Sequence, residues 1–378
     1  NANKIHDSTV EVDGLLQFIG GFNSSLGGNG ITNSRSDLDL TFGTRSIVDG
    51  HQLNNFGTAN LLNGSTTNLD NSTLTNQTGA EMNLTNSTIQ TADGVSVFTN
   101  QGTLNQINGS STIDVATTNS GAIHVDQGSL GFTNLPLTNT GDTKIAAGAT
   151  LSFSNGRHEV NSGGRITGQG LVSLGNSAVL NFDSGILSPG GMIETLNFNR
   201  GRVEFLNDSV FEIQISSVTG APGTSWDFIS SADTTLDFGE PNDSTGFEIK
   251  LSTIDSQGNP LALPGFDPND AYVFEIATVG QIVNFDPSKV RVDTTCFQNS
   301  LTGKFSVTKS SDDRSLLVKY MQFDLGDVNQ DGKISLLDIS PFVAAITDEV
   351  FLAEADMNCD GAVDLLDVRL FVDNLAGQ

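Results

Sequence analysis

Residues 76–102 read NQTGAEMNLTNSTIQTADGVSVFTNQG: an Asn-Gln turn closed by glycine, short apolar–polar alternations, and the same turn again. The turn recurs as Asn55-Phe-Gly57, Asn76-Gln-Thr-Gly79, Asn100-Gln-Gly102, Asn119-Ser-Gly121, Asn139-Thr-Gly141 and Asn161-Ser-Gly163, with glycines 22, 23, 19, 20 and 22 residues apart. A fairly even period of this size marks a coiling solenoid. Its corners need tight or left-handed backbone, which Asn and Gly tolerate, and β-prone pieces such as Ala122–Val125 and Thr150–Phe153 supply its sides. The spacing predicts a mainly β protein with a right-handed parallel β-helix over 41–200. Leu61, Met82, Leu84, Leu104, Ile107, Ile123, Val125, Ile145, Leu151 and Phe153 would stack in columns inside it. A β-sandwich or propeller with Asn-Gly hairpins is the alternative, and the even period disfavours it.

Upstream, residues 1–40 mix short apolar alternations with Gly clusters and read as an N-terminal β cap. Downstream, over 201–322, Phe211–Ile215, Phe247–Leu251, Tyr272–Ile276 and Leu316–Tyr320 alternate apolar and polar between longer loops. That alternation predicts a β-rich antiparallel region closing the open end of the helix.

Residues 323–378 carry a different signal. Residues 326–338 read GDVNQDGKISLLD and residues 355–367 read ADMNCDGAVDLLD, a repeat offset by 29. Both contain the D-x-[DN]-x-[DN]-G pattern of a calcium loop with an acidic residue at position twelve. Calcium takes six to eight hard oxygens, and a twelve-residue loop encloses it if the chain turns sharply at position six, where Gly332 and Gly361 stand. The predicted ligands are Asp327, Asn329, Asp331, the Lys333 carbonyl and Asp338, with Ser335 at the position where a water usually mediates. In the second loop they are Asp356, Asn358, Asp360, the Ala362 carbonyl, Asp364 and Asp367. Two Ca²⁺ ions are expected. Each loop feeds a helical stripe, Ile339, Phe342, Val343 and Ile346, then Val368, Phe371, Val372 and Leu375. Pro341 is accommodated if the first helix restarts with Ser340 as its N-cap.

This paired loop-helix, with Asp at position twelve, resembles a type I dockerin. The resemblance implies a small α-helical module that folds on calcium and docks onto a cohesin-like partner, with loop positions ten and eleven contributing to recognition. Those positions are Leu336, Leu337, Leu365 and Leu366, where many cellulosomal dockerins carry small or polar residues. The repeat segment resembles the β-helical passengers of autotransporter-type and filamentous-haemagglutinin-like surface proteins, in which a stretch like Leu187-Ser-Pro-Gly190 occurs late. The combined order resembles large secreted surface proteins of environmental bacteria.

The 378 residues carry 44 acidic and 17 basic side chains, a formal charge of −27, which argues against nucleic acid or an anionic membrane surface as partner. No run of apolar residues is long enough for a membrane span. Neutral polar surface, calcium loops and a first residue other than Met fit a processed, secreted or cell-surface protein. Cys296 and Cys359, the chain's only cysteines, are expected to pair in that compartment.

Catalytic signals are sparse. Asp70, Glu81, Asp93, Asp114, Asp126, Asp142, Glu159 and Asp183 hold no fixed place within the rungs, and His6, His51 and His124 fit no metal-ligand spacing. Arg157-His158-Glu159 is the tightest polar cluster and reads as an exposed turn. The leading reading is a non-enzymatic structural or adhesive protein, such as an adhesin or a filament subunit. It would associate through its dockerin-like module with a cohesin-like domain or another copy of itself. The alternative is a β-helix carbohydrate-active enzyme, a polysaccharide lyase or hydrolase tethered to a scaffold.

Overall fold

The computed structural model describes residues 8–18, 24–91, 93–239, 246–322, 325–331, 333–348, 350, 352, 354–358 and 362–376. The chain forms two compact units, 1–265 with 274–298 and 307–318, and 266–273 with 299–306 and 319–378.

The first unit is a parallel β-solenoid whose coils pass through three sheet faces. One face begins with Thr9–Val12 beside Ile31–Ser34 and continues through Gln52–Asn55, Thr73–Asn76, Val97–Asn100, Ala116–Asn119 and Leu137–Asn139, every pairing parallel. Another has 12 strands among the described residues, from Leu16–Gln17 to Val290–Cys296. Two long strands, Thr150–Val160 and Leu171–Asp183, turn a corner and so belong to two faces each. The solenoid therefore begins earlier and runs later than 41–200. Thr9–Val12, Leu16–Gln17, Ser24–Leu26 and Ile31–Ser34 are strands of it and not a separate cap, and Val210–Ile215, Phe247–Thr253 and Val290–Cys296 pair in parallel where antiparallel strands were expected. The physical reason is that a solenoid strand buries one face and solvates the other, so it alternates as an antiparallel strand does.

Inside, equivalent residues stack rung over rung. Leu53, Leu74 and Phe98 share one column, and Phe132 lies 5.8 Å from Phe153 in another. All of the predicted column residues are buried except Ile107, which is 43% exposed. Its neighbour Gln106 turns inward instead and donates to the Asn108 and Gly109 carbonyls.

The turn asparagines form a further column, which is polar and fully enclosed. Asn55 Nδ2 donates to Asn76 Oδ1 (2.8 Å), Asn76 to Asn100 (2.8 Å), Asn100 to Asn119 (2.6 Å) and Asn119 to Asn139 (2.6 Å). Each of the five is at most 1% exposed. After Asn100 and Asn119 the glycine two residues on is needed because rungs touch there: a Cβ on Gly102 would lie 2.2 Å from the Ala80 carbonyl oxygen, and one on Gly121 2.0 Å from that of Gly102. Asn161 does not join. Val160 occupies the next place in the column, and above it the column turns aromatic, with Phe182, Phe205 and Phe238 stacked at 5.5 and 5.4 Å.

One carboxylate in this unit is wholly enclosed. Asp227 accepts the backbone N–H groups of Glu194 (2.9 Å) and Gln214 (2.8 Å), and burial, reinforced by the nearby Glu194 and Glu212 charges, pushes its pKa up to about 8. A raised folded-state pKa means the native protein holds a proton that the unfolded chain releases near pH 4. The associated stability is complete below that pH and is lost as pH rises through about 8. Thermal melts of the solenoid should therefore fall between pH 6 and pH 9. Asp227→Asn should flatten that slope, and an unchanged slope in the variant would remove Asp227 as its cause.

Candidate calcium-binding and docking site

In the second unit the twelfth position of each loop is wired in the same way. Asp338 is fully buried, and its Oδ1 accepts Asn329 N–H (2.8 Å) while its Oδ2 accepts Ser335 N–H (2.8 Å). Asp367, 29 residues on and also fully buried, accepts Asn358 N–H (3.0 Å) and Asp364 N–H (2.9 Å). Position twelve thus clamps each loop across its width. Asp331 N–H is shared by Asp327 Oδ1 (3.1 Å) and Asn329 Oδ1 (2.9 Å), and Lys333 N–H reaches Asp331 Oδ1 (3.0 Å). Gln330, at position four, takes a left-handed φ of 58°. Gly332, Asp360, Gly361 and Cys359 lie outside the described residues. Cys296 is half-buried and in no disulfide among the described residues.

Ser335 and Asp338 form a reciprocal capping box over a 3₁₀ turn, Leu336–Asp338. Helix α1 (Ile339–Thr347) follows directly, so it does not restart at Ser340. Pro341 falls within its first turn, where N–H groups have no helical partner, and its missing donor costs nothing. Helix α2 is Asp367–Ala376. Phe342 and Phe371 stack face to face at 3.9 Å, and Val328, Ala345, Ala355 and Met357 complete a small core around them. The predicted stripes are only half buried, since Ile339, Val343 and Val372 face outward at 40–51% exposure. Glu354, 3% exposed, contacts Lys304 Nζ and accepts Gln330 Nε2 (2.9 Å). Asn374 Nδ2 contacts the Leu325 carbonyl, tying the end of the unit to the start of its first loop.

Among the described residues, no three His, Cys, Asp or Glu side chains converge as a cluster able to hold an ion by themselves. Each predicted set relies equally on an Asn side chain and a backbone carbonyl, which are calcium-type donors. The donor set fits a hard cation. Asp327, Asp338, Asp356 and Asp367 are all at most 8% exposed, and enclosing that much negative charge in so small a unit is costly without a positive partner.

Sequence reading missed Tyr320, whose ring is enclosed by Phe266, Tyr272 and Phe305. Its hydroxyl accepts Thr302 and Gly303 N–H groups and donates to the Pro268 carbonyl. No spacing signal links these distant segments.

On the solenoid, the Arg157-His158-Glu159 cluster divides by strand alternation. His158 points inward, fully buried, accepting Leu137 N–H at Nδ1 (3.1 Å) and paired through Nε2 with the Asn155 carbonyl (2.9 Å). Burial pushes its pKa down, so it is a neutral core histidine. Arg157 and Glu159 point outward in a lattice of ion pairs. Arg157 meets Glu159 (2.8 Å) and Glu204 (2.5 Å), and Arg202 meets Asp237 (2.7 Å). His51 is also buried, against Thr32 Oγ1 (3.0 Å).

Residues 325–375 match the dockerin type I domain, and no curated protein matches the chain. Domains of this type mediate protein–protein association, typically with a cohesin, and typically bind calcium, and the proteins that carry them are generally secreted. No helix among the described residues is long and apolar enough to cross a membrane. The chain thus carries a type I dockerin domain at residues 325–375, following a parallel β-solenoid.

Proposed function

We propose that this is an extracellular, non-enzymatic structural or adhesive surface protein, a solenoid shaft attached through its dockerin to a cohesin-like domain or to another copy of the chain. Two Ca²⁺ ions hold the dockerin in its docking form. Asp327, Asn329, Asp331, the Lys333 carbonyl and Asp338 would hold one, and Asp356, Asn358, Asp360, the Ala362 carbonyl, Asp364 and Asp367 the other. The ions supply the charge balance that lets those carboxylates be enclosed.

The observation that carries the reading is the exposure of four leucines, Leu336 (75%), Leu337 (69%), Leu365 (78%) and Leu366 (67%), on a unit with its own complete core. Apolar side chains held this far into water mark an interaction face. The ion-pair lattice around Arg157 and Arg202 supports a structural role for the solenoid surface, because its carboxylates are paired with those two arginines. Sedimentation in calcium, alone and with purified type I cohesin domains, tests the reading. A protein that stays monomeric at high concentration and binds no cohesin would defeat it.

One observation favours the second reading, a β-helix carbohydrate-active enzyme. Glu194 is half-buried on the rung beside the enclosed Asp227, and burial pushes its pKa up, a pattern suited to acid–base work. Release of reducing or unsaturated ends from acidic polysaccharides, abolished by Glu194→Gln, would establish it.

A further inference from the structure

The two halves of the dockerin are alike in their loops and unlike on their outer helical faces. At an offset of 29 residues, Leu336 matches Leu365, Leu337 matches Leu366 and Val343 matches Val372, each of them exposed. The exposed positions between them differ. Ser340 and Ala344 on α1 correspond to Arg369 and Asp373 on α2. The latter two point into solvent, their side chains 90% and 66% exposed, with Arg369 Nε 3.7 Å from Asp373. Helix α1, ISPFVAAIT, has no charged residue.

Leu336 and Leu337 on the 3₁₀ turn and Ser340, Val343 and Ala344 on α1 are all exposed and recur at helical spacing, so the first half presents one uncharged surface. On α2 the same surface is crossed by an arginine and an aspartate. A partner packed closely against Ser340 and Ala344 would have to bury that charged pair, and displace its water, if it docked on the other half, a cost that weak surface pairing does not return.

Resting on the reading that this dockerin docks a cohesin-type domain, we infer that it does so in one orientation, through the Leu336–Thr347 half. The partner's docking surface is apolar and uncharged where it meets Ser340 and Ala344. The second half stays outside the contact. Its leucines remain free in the complex, and binding depends weakly on salt, because no charge lies at the centre of the contact.

The test uses the full chain in calcium and a panel of purified type I cohesin domains. With any domain that binds, Ser340→Arg combined with Ala344→Asp gives the first half the second's charges and should weaken binding at least about 30-fold. Arg369→Ser with Asp373→Ala should leave affinity within about twofold. Leu337→Asp should abolish binding, and Leu366→Asp should not. All these positions are solvent-facing, and unchanged helicity in calcium confirms folding. Equal losses from both halves, or loss only when both are altered together, would overturn the single orientation while leaving cohesin docking intact. If no domain in the panel binds the unaltered protein, docking itself is overturned, and the orientation with it.

Discussion

Chelating calcium is expected to unfold residues 325–376 while the β-sheet signal is retained. The dockerin's core consists of Val328, Phe342, Ala345, Ala355, Met357 and Phe371, with a few partly buried neighbours. A unit of about 50 residues rarely stays folded on such a core without a metal, a disulfide or a partner. Four aspartates at most 8% exposed add a charge cost that only a cation removes. In such modules the binding free energy of the ion is folding free energy. Far-UV circular dichroism in excess chelator should lose nearly all α-helical signal, since α1 and α2 are the α-helices among the described residues. Proteolysis should then begin between 325 and 376. Calorimetric titration should return two ions. Helicity indifferent to chelator, or one ion bound at saturation, would contradict the two-site account.

Asn100→Ala should be among the most damaging single changes in the solenoid, costing about 3 kcal/mol. Asn100 Nδ2 donates to Asn119 Oδ1 (2.6 Å) and to the Ala122 carbonyl (2.9 Å), and its Oδ1 accepts from Asn76 (2.8 Å). Truncation leaves Asn119 Oδ1 without that donor and Asn76 Nδ2 without that acceptor in a fully buried column. Each such group costs about 1–3 kcal/mol when buried unpaired. Asn139→Val should cost less, because Asn139 ends the column and Val160 already follows it. Urea denaturation of the two variants supplies the comparison. If Asn139→Val were as costly as Asn100→Ala, the position within the column would not be what matters.

The asparagine turns were legible because a coil of nearly constant length repeats a corner requirement in the sequence. Asn161 was not, since the motif fixes a turn but not its register. The inward place one residue earlier goes to Val160, which the alternation of His158, Glu159 and Val160 signals. Beyond residue 195 the period disappears from view because the corners acquire long loops. Thr195 pairs with Phe228, and Ile229 with Ala277. The dockerin segment was legible in the sequence because ion coordination in such loops demands both a fixed spacing and oxygen-bearing residue types, and the family match covers that same stretch, 325–375. The half-exposed helical stripes were not, since an apolar residue that faces outward has the same spacing as one that packs in the core.

The asparagine column also bears on how such a chain can lengthen. Successive members are 21, 24, 19 and 20 residues apart, yet the stack is continuous, so each coil is an exchangeable cassette whose loops vary without disturbing its seat. The junctions Asn76-Gln77 and Asn100-Gln101 are identical in sequence. Duplication or loss of residues 77–100 would therefore re-create a natural junction and leave every amide with a neighbour. Shaft length can drift by whole coils over evolutionary time while the fold selects against partial ones.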